Sequence, residues 1–215
     1  MDYKYNIHTT GVIVAHPDDE TLWAGGTILL HPEWCWKVYA LCRASDSDRA
    51  PKFRRALSAL GAKGRMADLD DGPEQYPLSD IEVQGKVFEL VGRCNFDRVI
   101  THAPYGEYTR HRRHEETSKA VRSLWIQEDL RANSLWLFAY DDGNGEYLPR
   151  AIAGASRHTQ LPTTVWQKKY RIITNVYGFK SESWEARTTP RSEAFWCFES
   201  PSDLKVWLDQ KGITS

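Results

Sequence analysis

The 215-residue chain carries little excess charge, few cysteines and no long hydrophobic run, and each lack closes off a class of function. Lys and Arg number 28 against 29 Asp and Glu, a formal net charge of −1. That balance marks no surface for nucleic acid or for an anionic membrane. No apolar stretch approaches the ~20 residues that span a bilayer. Residues 1–10 are polar and lack the apolar core of a secretory signal, so a cytoplasmic location is expected. The four cysteines, Cys35, Cys42, Cys94 and Cys197, show no Cys-x-x-Cys spacing. A thiolate zinc site and a disulfide framework are therefore not expected. There is no Gly-x-Gly-x-x-Gly loop, no Walker loop, no internal repeat and no low-complexity tract.

What is present is an alternation. Val12–Ala15 reads as a buried strand and Glu20–Leu30 as a helix, interrupted by Gly25-Gly26. Trp36–Cys42 is a second strand. A helix follows in which Pro51 suits the first position, Phe53, Ala56, Leu57 and Leu60 repeat at helical spacing, and Gly61 ends the run. A third strand is expected at Arg65–Leu69, and a third helix at Ile81–Val91 with Ile81, Val87, Phe88 and Val91 buried. A fourth strand at Asp97–Thr101, a fourth helix at Glu115–Ile126 and a fifth strand at Leu135–Tyr140 complete the pattern. Strands alternating with helices over 140 residues predict a Rossmann-like doubly wound α/β sheet, mostly parallel, with helices on both faces. The usual strand order is 3-2-1-4-5, with ligands bound where strands 1 and 4 diverge. From Asp141 the pattern is less regular, with a helical stretch near Val165–Val176, a strand at Ala194–Glu199 and a last helix opened by Ser200-Pro201. This part is expected to complete one domain over residues 1–215 and to wall the site.

The chemistry lies in two stretches. The first strand runs into His16-Pro17-Asp18-Asp19-Glu20. At the end of a buried strand, beside an imidazole, three carboxylates repel and raise one another's pKa values, a cost that a divalent cation removes. Asp18 and Asp19 also suit a helix cap. The fourth strand runs into Tyr108-Thr109-Arg110-His111-Arg112-Arg113-His114, with two imidazoles three residues apart. Topology places both stretches at the same crevice.

Together the two boxes resemble the PIG-L/LmbE family of zinc-dependent amidohydrolases, mostly deacetylases of N-acetylated sugars. The first box matches in full and the second in its histidines. The resemblance implies a Zn2+ ion, or another divalent transition metal, held by His16, Asp19 and His114. It implies Asp18 as general base and His111 as the group that protonates the leaving amine or stabilises the oxyanion. Asp71-Gly72 resembles the family's substrate-bordering turn, so Asp71 is expected to touch substrate, or simply to form the turn. Arg112 and Arg113, with Arg110, form a basic patch suited to an anionic group on the substrate, or a solvated loop balanced by Glu115 and Glu116. Glu20 is expected to support the helix start, and His102 to be structural.

Many members carry one residue between the tyrosine and the first histidine of the second box, where this chain has Thr109-Arg110. The turn Arg43-Ala44-Ser45-Asp46 also replaces the family's Thr-x-Gly-Glu. The expected function is metal-dependent removal of an N-acyl (acetyl) group from a sugar or sugar-like small molecule. The alternative is a hydratase or lyase adding water to an unsaturated carboxylate at the same site. The expected partner is a small molecule, with no nucleic acid or membrane, and self-association stays open.

Overall fold

The computed structural model describes residues 8–213; residues 1–7, which carry most of the segment read above for a signal, lie outside them. Five strands, β1 (Thr9–Val14), β2 (Cys35–Ala40), β3 (Lys63–Met66), β4 (Phe96–Thr101) and β5 (Ala132–Phe138), pair in parallel. They alternate with helices α1 (Asp19–Leu30), α2 (Arg49–Leu60), α3 (Asp80–Val91) and α4 (Arg112–Ile126). The short strands β6 (Tyr140–Asp141) and β7 (Arg150–Ala151) form a separate antiparallel pair. Next come β8 (Arg157–Gln160), α5 (Thr163–Arg171) with a π-turn at Ile172–Val176, α6 (Trp184–Thr188), β9 (Ser192–Phe198) and α7 (Pro201–Gln210). The main sheet has the order β3-β2-β1-β4-β5-β9-β8, with β9 antiparallel to both of its neighbours. The expected 3-2-1-4-5 order is therefore observed, and two further strands extend it, of which only β9 runs against the rest.

Alternation along the central strands sorts side chains to two cores. Val12 and Val14 of β1 enter a core with α1, α2, α5 and the π-turn, while Ile13 enters a second core with α3, α4 and α7. No helix among the described residues is long and apolar enough to cross a membrane.

Several predicted elements shift for local reasons. Pro51 is the third residue of α2, because the Asp46 carboxylate accepts the N–H groups of Asp48 and Arg49 and starts the helix early. β3 lies two residues before its predicted position. The buried face of α3 is Val83, Val87, Leu90 and Val91, whereas Ile81 is 84% and Phe88 48% exposed. Ser79 caps this helix through the Glu82 N–H, and from that start the i, i+4, i+7 row begins at Val83.

Gly25-Gly26 allows close approach. A Cβ on Gly26 would stand 2.5 Å from Leu161 and 2.9 Å from a Glu193 oxygen. Glu193 accepts the N–H groups of Gly26 and Thr27, each at 2.7 Å, and forms a fully buried ion pair with Lys169, also at 2.7 Å.

Candidate metal centre

His16 leaves the end of β1, and His114 stands in the first turn of α4, which begins three residues earlier than predicted. β1 and β4 are neighbours, so the segments after them converge. His16 Nδ1 lies 3.2 Å from His114 Nε2 and 3.3 Å from Asp19 Oδ2, and His114 Nε2 lies 3.3 Å from the same oxygen. Donors at ~2.0–2.1 Å from a tetrahedral zinc ion stand about 3.3–3.4 Å apart. The donor triangle His16–Asp19–His114 therefore fits such a cation.

Each imidazole is backed by a carboxylate on its far nitrogen. His16 Nε2 pairs with Asp71 Oδ1 at 3.2 Å, and His114 Nδ1 with Glu107 Oε2 at 2.7 Å. Such partners fix the tautomer and aim the opposite lone pair. Glu107 also accepts from His102 Nδ1 at 2.8 Å, and His102 Nε2 accepts the Ala15 N–H at 3.0 Å. Both nitrogens of His102 are thus occupied, which removes it from the nearby Asp19–His102–His114 grouping as a metal donor. In the His16–Cys42–Asp71 grouping, burial pushes the Cys42 thiol far up and Asp71 is already engaged. Asp19 is placed by its own neighbours: Oδ2 accepts the His16 N–H at 2.8 Å and Oδ1 the Trp23 indole N–H at 3.2 Å.

The electrostatics follow from this packing. Burial would lower His114, but Asp19 and Glu107 outweigh it and carry it up to about 10. Burial opposes ionisation of Asp19, yet His114 and His16 hold it well below the usual carboxylate range. Asp18 is the opposite case: burial and the charge of Asp19 push it well up, against the pull of Arg49. Burial, with the neighbouring His114 and His16, lowers His111 to about 3. His111 is the N-cap residue of α4 and stacks on His114 with ring centroids 4.5 Å apart.

His16 and Asp19 line a cleft of about 300 Å³ that also takes in Arg43, Arg49, Tyr108, Trp184 and Glu185, with His114 buried behind them. Asp18, Asp71 and His111 are all on its wall. Asp71 is heavily committed, accepting from Gln75 at 2.7 Å and from Arg43 Nη2 at 2.6 Å as well as meeting His16. Glu20 is buried and accepts the Asp18 N–H and the Tyr177 hydroxyl, so it supports the helix start as expected.

The basic patch does not reach this cleft. Arg113 is fully buried and donates to the Asp70 carbonyl and carboxylate, the Tyr76 carbonyl and Glu116, pinning the 70–76 loop to α4. Arg112 donates to the Gln75 carbonyl at 2.6 Å, and the Arg110 side chain is 87% exposed beside Glu115. Starting α4 at Arg112 turns 112 and 113 toward that loop, so neither of these expected substrate contacts lines the cleft. The cleft's guanidiniums come instead from Arg43 and Arg49, on the loop after β2 and at the start of α2. Their position beyond the carboxyl end of a central strand was the available signal. Glu107 could have been found as a carboxylate between a strand-ending histidine and the second box. For Trp184 and Glu185, on α6, the sequence carries no signal.

The strand order and the crevice between β1 and β4 define a doubly wound α/β protein, with the His16–Asp19–His114 triangle at the switch point. Residues 11–125 match the family model described as PIG-L: GlcNAc-PI de-N-acetylase, and the chain belongs to that family. A similar curated protein is the uncharacterized protein L374 of Acanthamoeba polyphaga mimivirus, 22% identical over 178 residues, 75% of each chain. Among solved structures, the N,N'-diacetylchitobiose deacetylase of Pyrococcus horikoshii superposes with a TM-score of 0.67 at 16% identity, covering 90% of this chain and 85% of that one. GalB, the 4-carboxy-2-hydroxymuconate hydratase of Pseudomonas putida, superposes with a TM-score of 0.65 at 18% identity, covering 89% and 96%.

Proposed function

We propose that this chain is one domain that hydrolyses the N-acetyl group of a sugar-like small molecule, using a divalent cation, zinc by preference, held by His16, Asp19 and His114. The observation that carries the reading is the donor triangle, with edges of 3.2–3.3 Å and a carboxylate behind each imidazole. Family membership and the deacetylase neighbour support it. Bound there, the cation supplies Lewis acidity toward an acyl oxygen and lowers the pKa of water.

The chain's own groups supply the proton traffic. Asp18 takes the proton of the attacking water, its carboxylate lying on the cleft wall beside Asp19. The water oxygen bonds to the acyl carbon, the C–N bond breaks, and Asp18 returns the proton to the departing nitrogen. His111, held neutral, donates an N–H to the oxyanion and does not serve as an imidazolium acid. Of the two roles expected for it, this favours the second. Tyr108, whose phenol burial keeps protonated, is a further donor on the same wall.

Addition of water to an unsaturated carboxylate is the second reading, supported by the hydratase neighbour. It needs a cation for the substrate carboxylate. Both guanidiniums of the cleft are already paired, Arg43 with Asp71 and Arg49 with Asp18, which favours the amide. The deciding experiment is acetate release from a panel of N-acetylglucosaminyl compounds, with metal removed and restored. Release that follows the metal is expected. Full metal loading with no acetate, but with hydration of an unsaturated dicarboxylate, would overturn the proposal.

A further inference from the structure

On the other side of α6 lies a second cleft, of about 470 Å³. It is bounded by Arg150 of β7, Trp166 of α5, Arg187 and Thr188 of α6, and Arg191 and Ser192 where β9 begins. Three arginines face it, and no aspartate or glutamate lines it among the described residues. The arginine ion pairs of the described residues belong to Arg43, Arg49, Arg110 and Arg113; Arg150, Arg187 and Arg191 take part in none.

Two of these guanidiniums are held by aromatic faces. Arg191 sits 3.7 Å from the centroid of the Trp166 ring, and Trp166 is itself fixed by donating its indole N–H to the Thr189 carbonyl at 3.1 Å. Arg150 lies 4.7 Å over Tyr147. A cation on an aromatic face keeps its N–H edge available for an acceptor. Thr188 is only 4% exposed, and its hydroxyl is buried without a hydrogen-bond partner. That hydroxyl has its hydrogen-bonding capacity free at the cleft wall. Like charges gathered at one cleft repel, and an anion there reverses the sign of that interaction.

We propose that this cleft binds a phosphate group, free or carried by a small ester, between Arg150, Arg187 and Arg191 with Thr188 as a hydroxyl contact. Three guanidiniums suit a phosphate dianion, whose oxygens accept from several forks at once. The volume accommodates a sugar-sized ester. This site is separate from the metal centre and does not depend on the reaction proposed there.

The test is calorimetric titration of the whole protein with inorganic phosphate at fixed chloride ionic strength. One saturable event is expected, weakened tenfold or more in Arg187→Gln/Arg191→Gln, several-fold in Thr188→Val, and unchanged in Arg110→Gln, which removes a charge elsewhere. If the double variant unfolds, single Arg150→Gln and Arg187→Gln replacements of exposed side chains carry the same test. Glucose 6-phosphate binding more tightly than phosphate supports an ester ligand, and equal affinity supports the free anion. No saturable heat, or equal affinity in wild type and the arginine variants, would overturn the proposal; phosphate bound at the catalytic metal would give the latter result.

Discussion

Asp18 holds φ 117°, ψ −29°, a conformation that costs a residue other than glycine about 1–3 kcal/mol. Its surroundings over-determine it. The Asp18 carbonyl accepts the N–H groups of Thr21 and Leu22, its own N–H donates to Glu20, and its carboxylate meets Arg49 at 3.1 Å. Asp18→Gly should therefore melt no lower than wild type while losing activity. Asp18→Asn should keep the metal, by elemental analysis, and lose about 10²–10⁴-fold in kcat. Loss of metal in Asp18→Asn would make this residue a ligand and not the base. With His114 as a ligand, as proposed, this residue governs the pH dependence of metal binding. A cation must displace the proton that Asp19 and Glu107 hold on it up to about 10. Apparent affinity should then rise by up to about tenfold per pH unit between about pH 6 and 8, measured by competition with a chromophoric chelator. An affinity flat across that range would contradict the assignment. Glu107 governs the acid side. His102 and His114 overcome the effect of burial and lower it from 4.5 to about 2, so its contribution to stability is complete above pH 4.5 and fades as pH falls toward 2.

At the scale of elements, the start of α4 decides which side chains meet. Because Arg113 anchors the 70–76 loop and not a substrate, Arg113→Ala should lower stability by about 2 kcal/mol in urea unfolding. Any change in KM should be no larger than that caused by Asp70→Ala, which breaks the same anchor. Arg112→Ala, exposed and on a carbonyl, should change little. Asp71→Asn should cost about 10–100-fold in metal affinity, because Asp71 orients His16. The meeting of His16, Asp19 and His114 was legible beforehand because the family resemblance singles out these three and the strand order brings both boxes to one crevice. The carboxylates behind the imidazoles were less so. Glu107 reaches His114 through a loop whose shape depends on Asp142 accepting both the Thr109 N–H and its hydroxyl, a contact across 33 residues. β8 escaped detection because Arg157-His158-Thr159-Gln160 has no apolar alternation; it is an edge strand whose outer side meets solvent. On α3, an apolar count alone does not say which of two faces turns inward, and so Ile81 and Phe88 were misplaced.

For the whole molecule, Lys169 and Glu193 join the C-terminal third to α1. Glu193→Ala removes one partner of a buried ion pair and leaves the Lys169 ammonium in the core, which should cost about 3–5 kcal/mol. Glu193→Ala/Lys169→Met should recover part of that loss, and equal stability of the single and double variants would argue against the pair as the cause. Gly26→Ala should destabilise by about 1–3 kcal/mol, because Leu161 and Glu193 leave no room for the methyl group. The late arrival of β9 also bears on how the protein is made. Leu135 of β5 pairs with Phe198, about 60 residues further along, and β8 cannot join the sheet until β9 lies between them. A ribosome adding ~5–20 residues per second leaves the outer edge of β5, with its Leu-Trp-Leu-Phe run, without its partner for several seconds. During synthesis that edge is the place where a chaperone or a neighbouring nascent chain can compete with the protein's own final strand.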